Sequence, residues 1–140
     1  MKNKNIRFKY NSGEGVCTII YKGHKFIGKA LCHPDDIDFE SERTGLCIAE
    51  ARAYLLFLKH RKNNEIKPQL DIINHLFNNI RSSSKYDSKS YEFKMIKRQK
   101  FILENELKTI NNDIKEEKKS LKEYINLKEK LYTKLRGKNQ

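Results

Sequence analysis

Residues 16–32 read VCTIIYKGHKFIGKALC, and this stretch decides the fold. Its first part, residues 16–21, is a β-branched and aromatic run typical of a strand. Lys22-Gly23 predicts a two-residue turn, after which the chain returns as a further strand over about residues 24–32. The stretch therefore predicts an antiparallel pair of strands.

The residues before this stretch extend the predicted sheet. Residues 6–10 alternate apolar with basic side chains, and residues 11–15 supply a turn, so a three-stranded antiparallel sheet is expected. Successive side chains of a strand point to opposite faces. If Phe26 faces the core, four basic residues share the solvent face, and they form our first candidate binding site: Arg7, Lys9, Lys25 and Lys29.

Two helices are predicted to follow the sheet. The first begins between Ser41 and Gly45 and continues through the apolar residues 46–58, which we expect to be buried. The pattern breaks over residues 61–65. Pro68 then stands at the start of a shorter amphipathic helix.

The C-terminal third predicts one long charged helix after a serine-rich polar linker at residues 81–90. A heptad frame places apolar residues at ten of thirteen core positions, which indicates a coiled coil. The seam includes Leu103, Leu107, Ile110, Ile114, Leu121, Tyr124, Leu131 and Leu135. We expect it to pair in a homodimer, ahead of a hairpin folded back at residues 111–113 or another protein.

These elements predict an α+β fold. A three-stranded antiparallel sheet is packed by two helices and followed by a long C-terminal coiled-coil helix. The predicted domains are a small α+β domain at residues 1–80, the linker at 81–90 and a coiled-coil arm at 91–140.

The composition narrows the class of protein. The 140 residues include 30 Lys and Arg against 18 Asp and Glu, a formal charge of +12. No apolar run reaches the roughly 18 residues of a membrane span, and none follows the lysine-rich start as in a secretory signal. Three cysteines are an odd number, so a reducing compartment without disulfides is expected. We expect a cytoplasmic protein with no membrane partner.

The sequence gives little support for a catalytic site or a metal site. Cys17, His24, Cys32, His33 and Cys47 are soft ligands, but their spacing lacks the close pair of a structural zinc site. Asp35 followed by Glu65-Ile66-Lys67 superficially matches a metal-dependent nuclease, yet here the Glu-x-Lys precedes Pro68 at a helix start. Gly-x-Ser-x-Gly and phosphate-binding glycine loops are missing. We expect no catalytic residue, metal or cofactor. A metal-dependent nuclease is the third hypothesis for the function, after the two binding functions described next.

Binding is the better-supported class of function. Residues 1–34 carry a net charge of +6 and residues 35–50 a net charge of −5, so a basic face adjoins an acidic segment that includes Asp35 and Asp36. Complementary charge with an apolar helical seam suits an inhibitor or adaptor that binds a protein or nucleoprotein. The alternative is an RNA- or DNA-binding dimer without sequence specificity.

One stretch carries a resemblance. Residues 28–36, GKALCHPDD, followed by Gly45, Ala49 and Arg52-Ala53, resemble a strand, acidic loop and Ala-rich helix of small accessory proteins from phages of AT-rich Gram-positive bacteria. Some of these proteins are anti-defence factors, including anti-CRISPR inhibitors. The resemblance implies a non-catalytic phage protein, in the cytoplasm of a bacterial host, that inhibits an immune complex.

Overall fold

The computed structural model describes residues 4–31, 42–82 and 90–138. Three strands are followed by helices, which confirms the predicted α+β class and the antiparallel sheet. The elements are β1 (Lys4–Asn11), β2 (Glu14–Tyr21), β3 (His24–Leu31), α1 (Glu42–Arg61), a π-helical segment (Lys62–Ile66), α2 (Lys67–Arg81) and α3 (Tyr91–Lys138). Most of the predicted linker at 81–90 lies outside the described residues.

Two tight turns set the sheet. Ser12 and Gly13 have φ values of 42° and 87°, and Lys22 and Gly23 have 48° and 80°. Positive φ at both central residues is the two-residue hairpin geometry whose twist matches that of the flanking strands. The strand order is therefore β1-β2-β3, with β2 in the centre.

One face of the sheet, called the inner face, is covered by α1. Cys17, Ile19 and Tyr21 of β2 are buried there, together with Ala30 of β3. Ala49, Ala53 and Phe57 of α1 are fully buried. The Phe57 ring packs edge-on against Tyr21 and Phe26, with ring centroids 5.0 and 5.9 Å away. The prediction that residues 46–58 are buried is confirmed only in part, because Cys47 and Leu56 are exposed.

Two glycines allow the α1 backbone to approach the sheet. A Cβ added at Gly15 would lie 2.8 Å from the carbonyl carbon of Gly45. At Gly28 it would collide with the carbonyl oxygen of Ala49 and the amide nitrogen of Ala53. The Arg52 guanidinium adds a hydrogen bond, which it donates to the Lys29 carbonyl over 2.6 Å. Helix and sheet are in backbone contact, so this interface has no room for larger side chains.

The predicted break in the pattern at residues 61–65 coincides with the π-helical segment between α1 and α2, and the chain stays helical through it. Arg61 and Lys67 both have right-handed helical dihedral angles, and the Lys67 amide bonds to the Lys62 carbonyl, one residue further back than in an α-helix. Pro68 has no amide hydrogen, and its ring would collide with the carbonyl four residues earlier in a regular helix. The wider π-helical turn accommodates the proline while the chain stays helical.

The long C-terminal helix is confirmed, because α3 extends over 48 residues. It runs without interruption through residues 111–113, so the predicted hairpin is not confirmed. Coiled-coil pairing is not confirmed either.

Contacts within the chain form two compact units. Met1–Phe57 and Ile114–Gln140 make up the sheet unit, and Leu58–Asp113 the helical unit. These bounds differ from the predicted domains, because α3 contributes residues to both units instead of standing apart.

Aromatic packing joins α2 to α3 within the helical unit. The rings of Phe77 and Phe93 stack with centroids 5.4 Å apart. The Lys100 ammonium lies 4.3 Å from the centroid of the Phe77 ring, close enough for a cation–π interaction. No described residue of α2 is buried, and its apolar residues Ile72 and Leu76 are 62% and 42% exposed.

Gly28→Ala should destabilise the protein strongly. Its new Cβ would collide with α1 backbone that cannot move without separating helix from sheet, and overpacking of this kind typically costs about 1–3 kcal/mol. Gly137→Ala makes the same substitution in α3 where nothing lies within 4 Å of the added Cβ, so it should not destabilise the protein. Urea unfolding followed by circular dichroism measures both, and equal stability of the two variants would contradict the packing.

Candidate binding surface

The face of the sheet turned away from α1, called the outer face, brings together the four predicted basic residues. β1 pairs with β2 and β2 with β3 in a register that aligns Arg7, Thr18 and Ile27 across the sheet. The next row on this face aligns Lys9, Val16 and Lys29. Lys25 lies at the end of the row through Ile20. Neighbouring strands are about 4.8 Å apart, so the four charges lie on one small surface.

The outer face has a basic rim and an aliphatic centre. Arg7, Lys9, Lys25 and Lys29 are exposed, and among the described residues none of them forms a salt bridge. Between them lie Val16 and Ile20, both half-buried, and the exposed Ile27. Aromatic side chains do not occur on this face in the described strands. A patch of this composition can contact an apolar surface and attract negative charge around it.

The other predicted site residues have different outcomes. Asp35 and Asp36 lie outside the described residues. The predicted heptad seam coincides with the most covered side of α3, because Leu103, Ile110 and Ile114 are buried within the single chain. Leu107, Leu121, Tyr124 and Leu135 are half-buried, whereas Leu131 is exposed.

Among the predicted metal-ligating and nuclease-like residues, Cys32, His33 and Asp35 lie outside the described residues. Cys17 is buried in the sheet, where desolvation, with a smaller contribution from the charge of Glu50, raises the pKa of its thiol to about 11. A group of three or more His, Cys, Asp or Glu side chains suited to a metal does not occur in the described part of the chain. Glu65 lies in the π-helical segment and pairs with Arg61 over 3.3 Å. Its surroundings are those of an intrahelical ion pair.

A groove beside β1 was not predicted. Two adjoining cavities of about 350 and 370 Å³ share Cys47 and Glu50 and lie between the inner face of β1 and α1. Their walls include Ile6 and Phe8, which are 40% and 50% exposed. We call this feature the β1 groove, and its lining includes Ile6, Phe8, Leu46, Cys47, Glu50 and Tyr54.

The lining of the β1 groove includes a carboxyl group with a shifted pKa, that of Glu117 in α3. It lines the larger cavity in the same unit as Glu50. Burial, followed by the repulsion of the Glu50 carboxylate, raises the pKa of Glu117 above its ordinary value. In the heptad frame Glu117 is one of the three core positions that are not apolar, and in the structure it lies beside α1. Lys4 lines the same cavity, and its ammonium lies 5.3 Å from the ring centroids of Tyr54 and Phe57.

One sequence signal pointed to the aliphatic centre of the outer face. Residues 16–21 are apolar at five of six positions, so this strand is apolar on both sides although α1 covers only one. The sequence contains no comparable signal for the β1 groove, because the residues of its walls are far apart in the chain.

Comparison of the chain with protein families, curated proteins and solved structures finds no match in any of the three. Helices with the length and apolar character needed to cross a bilayer do not occur among the described residues. The function is therefore argued from the surfaces themselves.

Glu117→Gln should stabilise the protein at neutral pH and change how its stability depends on pH. A carboxyl whose pKa is raised in the folded state binds more protons there than in the unfolded chain. The stability of the unsubstituted protein therefore falls as pH rises from the ordinary glutamate pKa through the raised one. The variant lacks this decrease, so its advantage should be largest at the upper end of that window.

Glu116→Gln is the matched control, because it removes the same charge from a neighbouring exposed position on α3. Unfolding free energies from about pH 4 to about pH 8 should then show the difference for Glu117→Gln alone. Parallel pH profiles for the two variants would show that the Glu117 carboxyl is not perturbed.

Proposed function

We propose that the protein is a non-catalytic binding protein whose outer face docks on a negatively charged protein surface. The observation that carries the proposal is the basic rim around an aliphatic centre. Protein interfaces commonly place apolar residues centrally and polar residues at the edge, and complementary charge speeds and orients association. Blocking a bacterial immune complex, the role implied by the phage-protein resemblance, is the particular form of this function that we propose.

Nucleic-acid binding is the second candidate, because four cations share one face. Single strands are usually held by a basic groove together with aromatic side chains on which bases stack. The described part of the outer face offers Val16, Ile20 and Ile27 at its centre instead. This composition favours a protein partner over a nucleic acid.

A charge-reversal pair of variants tests the outer face. One variant changes Arg7, Lys9, Lys25 and Lys29 to Glu, and the control changes four exposed lysines of α3 to Glu, namely Lys94, Lys97, Lys118 and Lys122. Both variants lower the net charge by the same amount. Binding of host proteins, measured by quantitative capture from a bacterial lysate, should fall at least about tenfold for the first variant only. Equal losses would mean that the total charge, not the outer face, is responsible.

Ile27→Ser separates the two candidate partners. Removing this exposed aliphatic side chain should weaken a protein complex while leaving backbone-directed RNA or DNA binding unchanged. For nucleic acid, four phosphate contacts predict an affinity loss of about 50-fold for single strands, or about 150-fold for a duplex, between 50 and 200 mM salt. A titration that shows this salt dependence and no effect of Ile27→Ser would support the second candidate and contradict the first.

Homodimerisation through α3 is a further part of the proposal. The middle of the seam is already buried in the single chain, so a second copy would have to pair near the C-terminal end. Leu127 and Leu131 are 64% and 45% exposed there. These two leucines supply exposed apolar area for a partner helix at this end.

Sedimentation analysis tests the dimer. We expect the unsubstituted chain to be dimeric at tens of micromolar and the Leu127→Glu, Leu131→Glu double variant to be monomeric, because charge at both positions opposes apolar pairing. A monomeric unsubstituted chain at this concentration would contradict self-pairing of α3.

A further inference from the structure

β1 is an edge strand with unusual exposure on its inner side. It pairs with β2 only, within the described sheet, and presents Ile6 and Phe8 to the β1 groove. The α1 backbone approaches the sheet at Gly15 of β2 and Gly28 of β3, whereas the contact from β1 is that of the Lys4 ammonium with the rings of Tyr54 and Phe57. The helix thus lies towards β2 and β3, which leaves the inner side of β1 open.

The turn geometry shows which backbone groups of β1 face outward. A two-residue loop makes Asn11 and Glu14 a hydrogen-bonded pair, and such pairs alternate along an antiparallel ladder. Arg7 and Lys9 therefore bond to β2, and the amide and carbonyl groups of Ile6 and Phe8 point away from the sheet. These two residues direct their backbone to the edge and their side chains to the β1 groove.

One outward-facing backbone group of the opposite edge strand, β3, has a partner. The same alternation turns the Lys29 carbonyl of β3 outward, and the Arg52 guanidinium occupies it. Ile6 and Phe8 have no equivalent partner in the described part of the chain. An exposed strand edge is a template for the addition of another strand.

We propose that this edge binds an extended peptide of alternating apolar and acidic residues as a fourth strand. In such β-strand addition, main-chain hydrogen bonds supply affinity and pockets for alternate side chains supply specificity. One set of peptide side chains would enter the β1 groove, where Ile6, Phe8 and Leu46 favour apolar groups. The other set would lie beside Arg7 and Lys9 on the outer face, where carboxylates are favoured.

Charge in the β1 groove selects the register. A slip of one residue would exchange the two sets of peptide side chains. Acidic groups would then enter a groove whose lining has Glu42, Glu50 and Glu117 against Lys4 and Arg43, and apolar groups would lie beside Arg7 and Lys9. Both changes are unfavourable, so the alternation is recognised in one register only.

This inference goes beyond the proposed function, because it uses the edge of β1 and the β1 groove instead of the centre of the outer face. The two surfaces can be disabled separately. Phe8→Asp places a charge in the groove at a half-exposed position. Ile27→Asp makes the same change at a similarly exposed position on the opposite edge strand, which makes it a matched control.

A fluorescein-labelled peptide of alternating valine and glutamate is the probe, with fluorescence anisotropy as the readout and the full-length protein as receptor. We expect saturable binding by the unsubstituted protein and by Ile27→Asp, and at least about a tenfold weaker affinity for Phe8→Asp. An alternating valine and lysine peptide should not bind. Equal binding of the two peptides would overturn the proposal. Loss of lysate-protein capture by Ile27→Asp with peptide binding retained would separate the two surfaces.

N-methylated peptides test the main-chain pairing on unsubstituted protein, so the result does not depend on the folding of a variant. One peptide is methylated at the valine amides and another at the glutamate amides. In a strand added at an edge, only one of these two sets of amides faces β1. We expect one peptide to lose affinity at least about tenfold and the other to keep it. Equal effects would exclude strand addition.

The peptide experiment also distinguishes two other occupants of the β1 edge, a segment of this chain and a second copy of it. Residues 36–40, DIDFE, alternate acidic with apolar side chains and lie outside the described residues. If the probe binds only after Ile37→Ser and Phe39→Ser, the chain itself is the occupant and an external peptide is ruled out. If the probe binds only below the concentration at which sedimentation shows dimers, a second copy is the occupant and the proposal also fails.

Discussion

The backbone contact between α1 and the sheet is the constraint on which the rest of the sheet unit depends. Gly15 and Gly28 have no side chain, so the helix lies directly on β2 and β3. This contact decides which face of the sheet is inner, and it buries Ala49, Ala53 and Phe57. It also places α1 to one side, which leaves β1 with an open edge and a groove.

Two surfaces of opposite character result from that position. The outer face is basic at its rim, with Arg7, Lys9, Lys25 and Lys29 around aliphatic side chains. The β1 groove is apolar along Ile6 and Phe8 but has Glu50 and Glu117 in its lining. The protein can therefore favour acidic groups on one side of the sheet and apolar groups on the other. A positive net charge alone would not produce this selectivity.

Local patterns predicted much of the fold and part of the candidate site. Alternation in β1 and β3 assigned the four basic residues to one face, because a strand has only two faces. The features that local patterns did not predict depend on packing between elements. The π-helical segment before Pro68 keeps the chain helical where composition indicated a break. The heptad pattern located the covered side of α3 at Leu103 and Ile110, but it did not show that the same chain covers this side.

Sequence by itself determined the strands, their turns, the long helix and the side of each element that avoids water, since these follow from the spacing of apolar residues over a few positions. Only the tertiary structure decided where α1 lies across the sheet, and hence that β1 has an open inner side and that Glu117 lies in the lining of the β1 groove. The physical reason is that such placement depends on the steric fit of distant residues, here Gly28 against Ala49 and Ala53, and no local pattern encodes that fit.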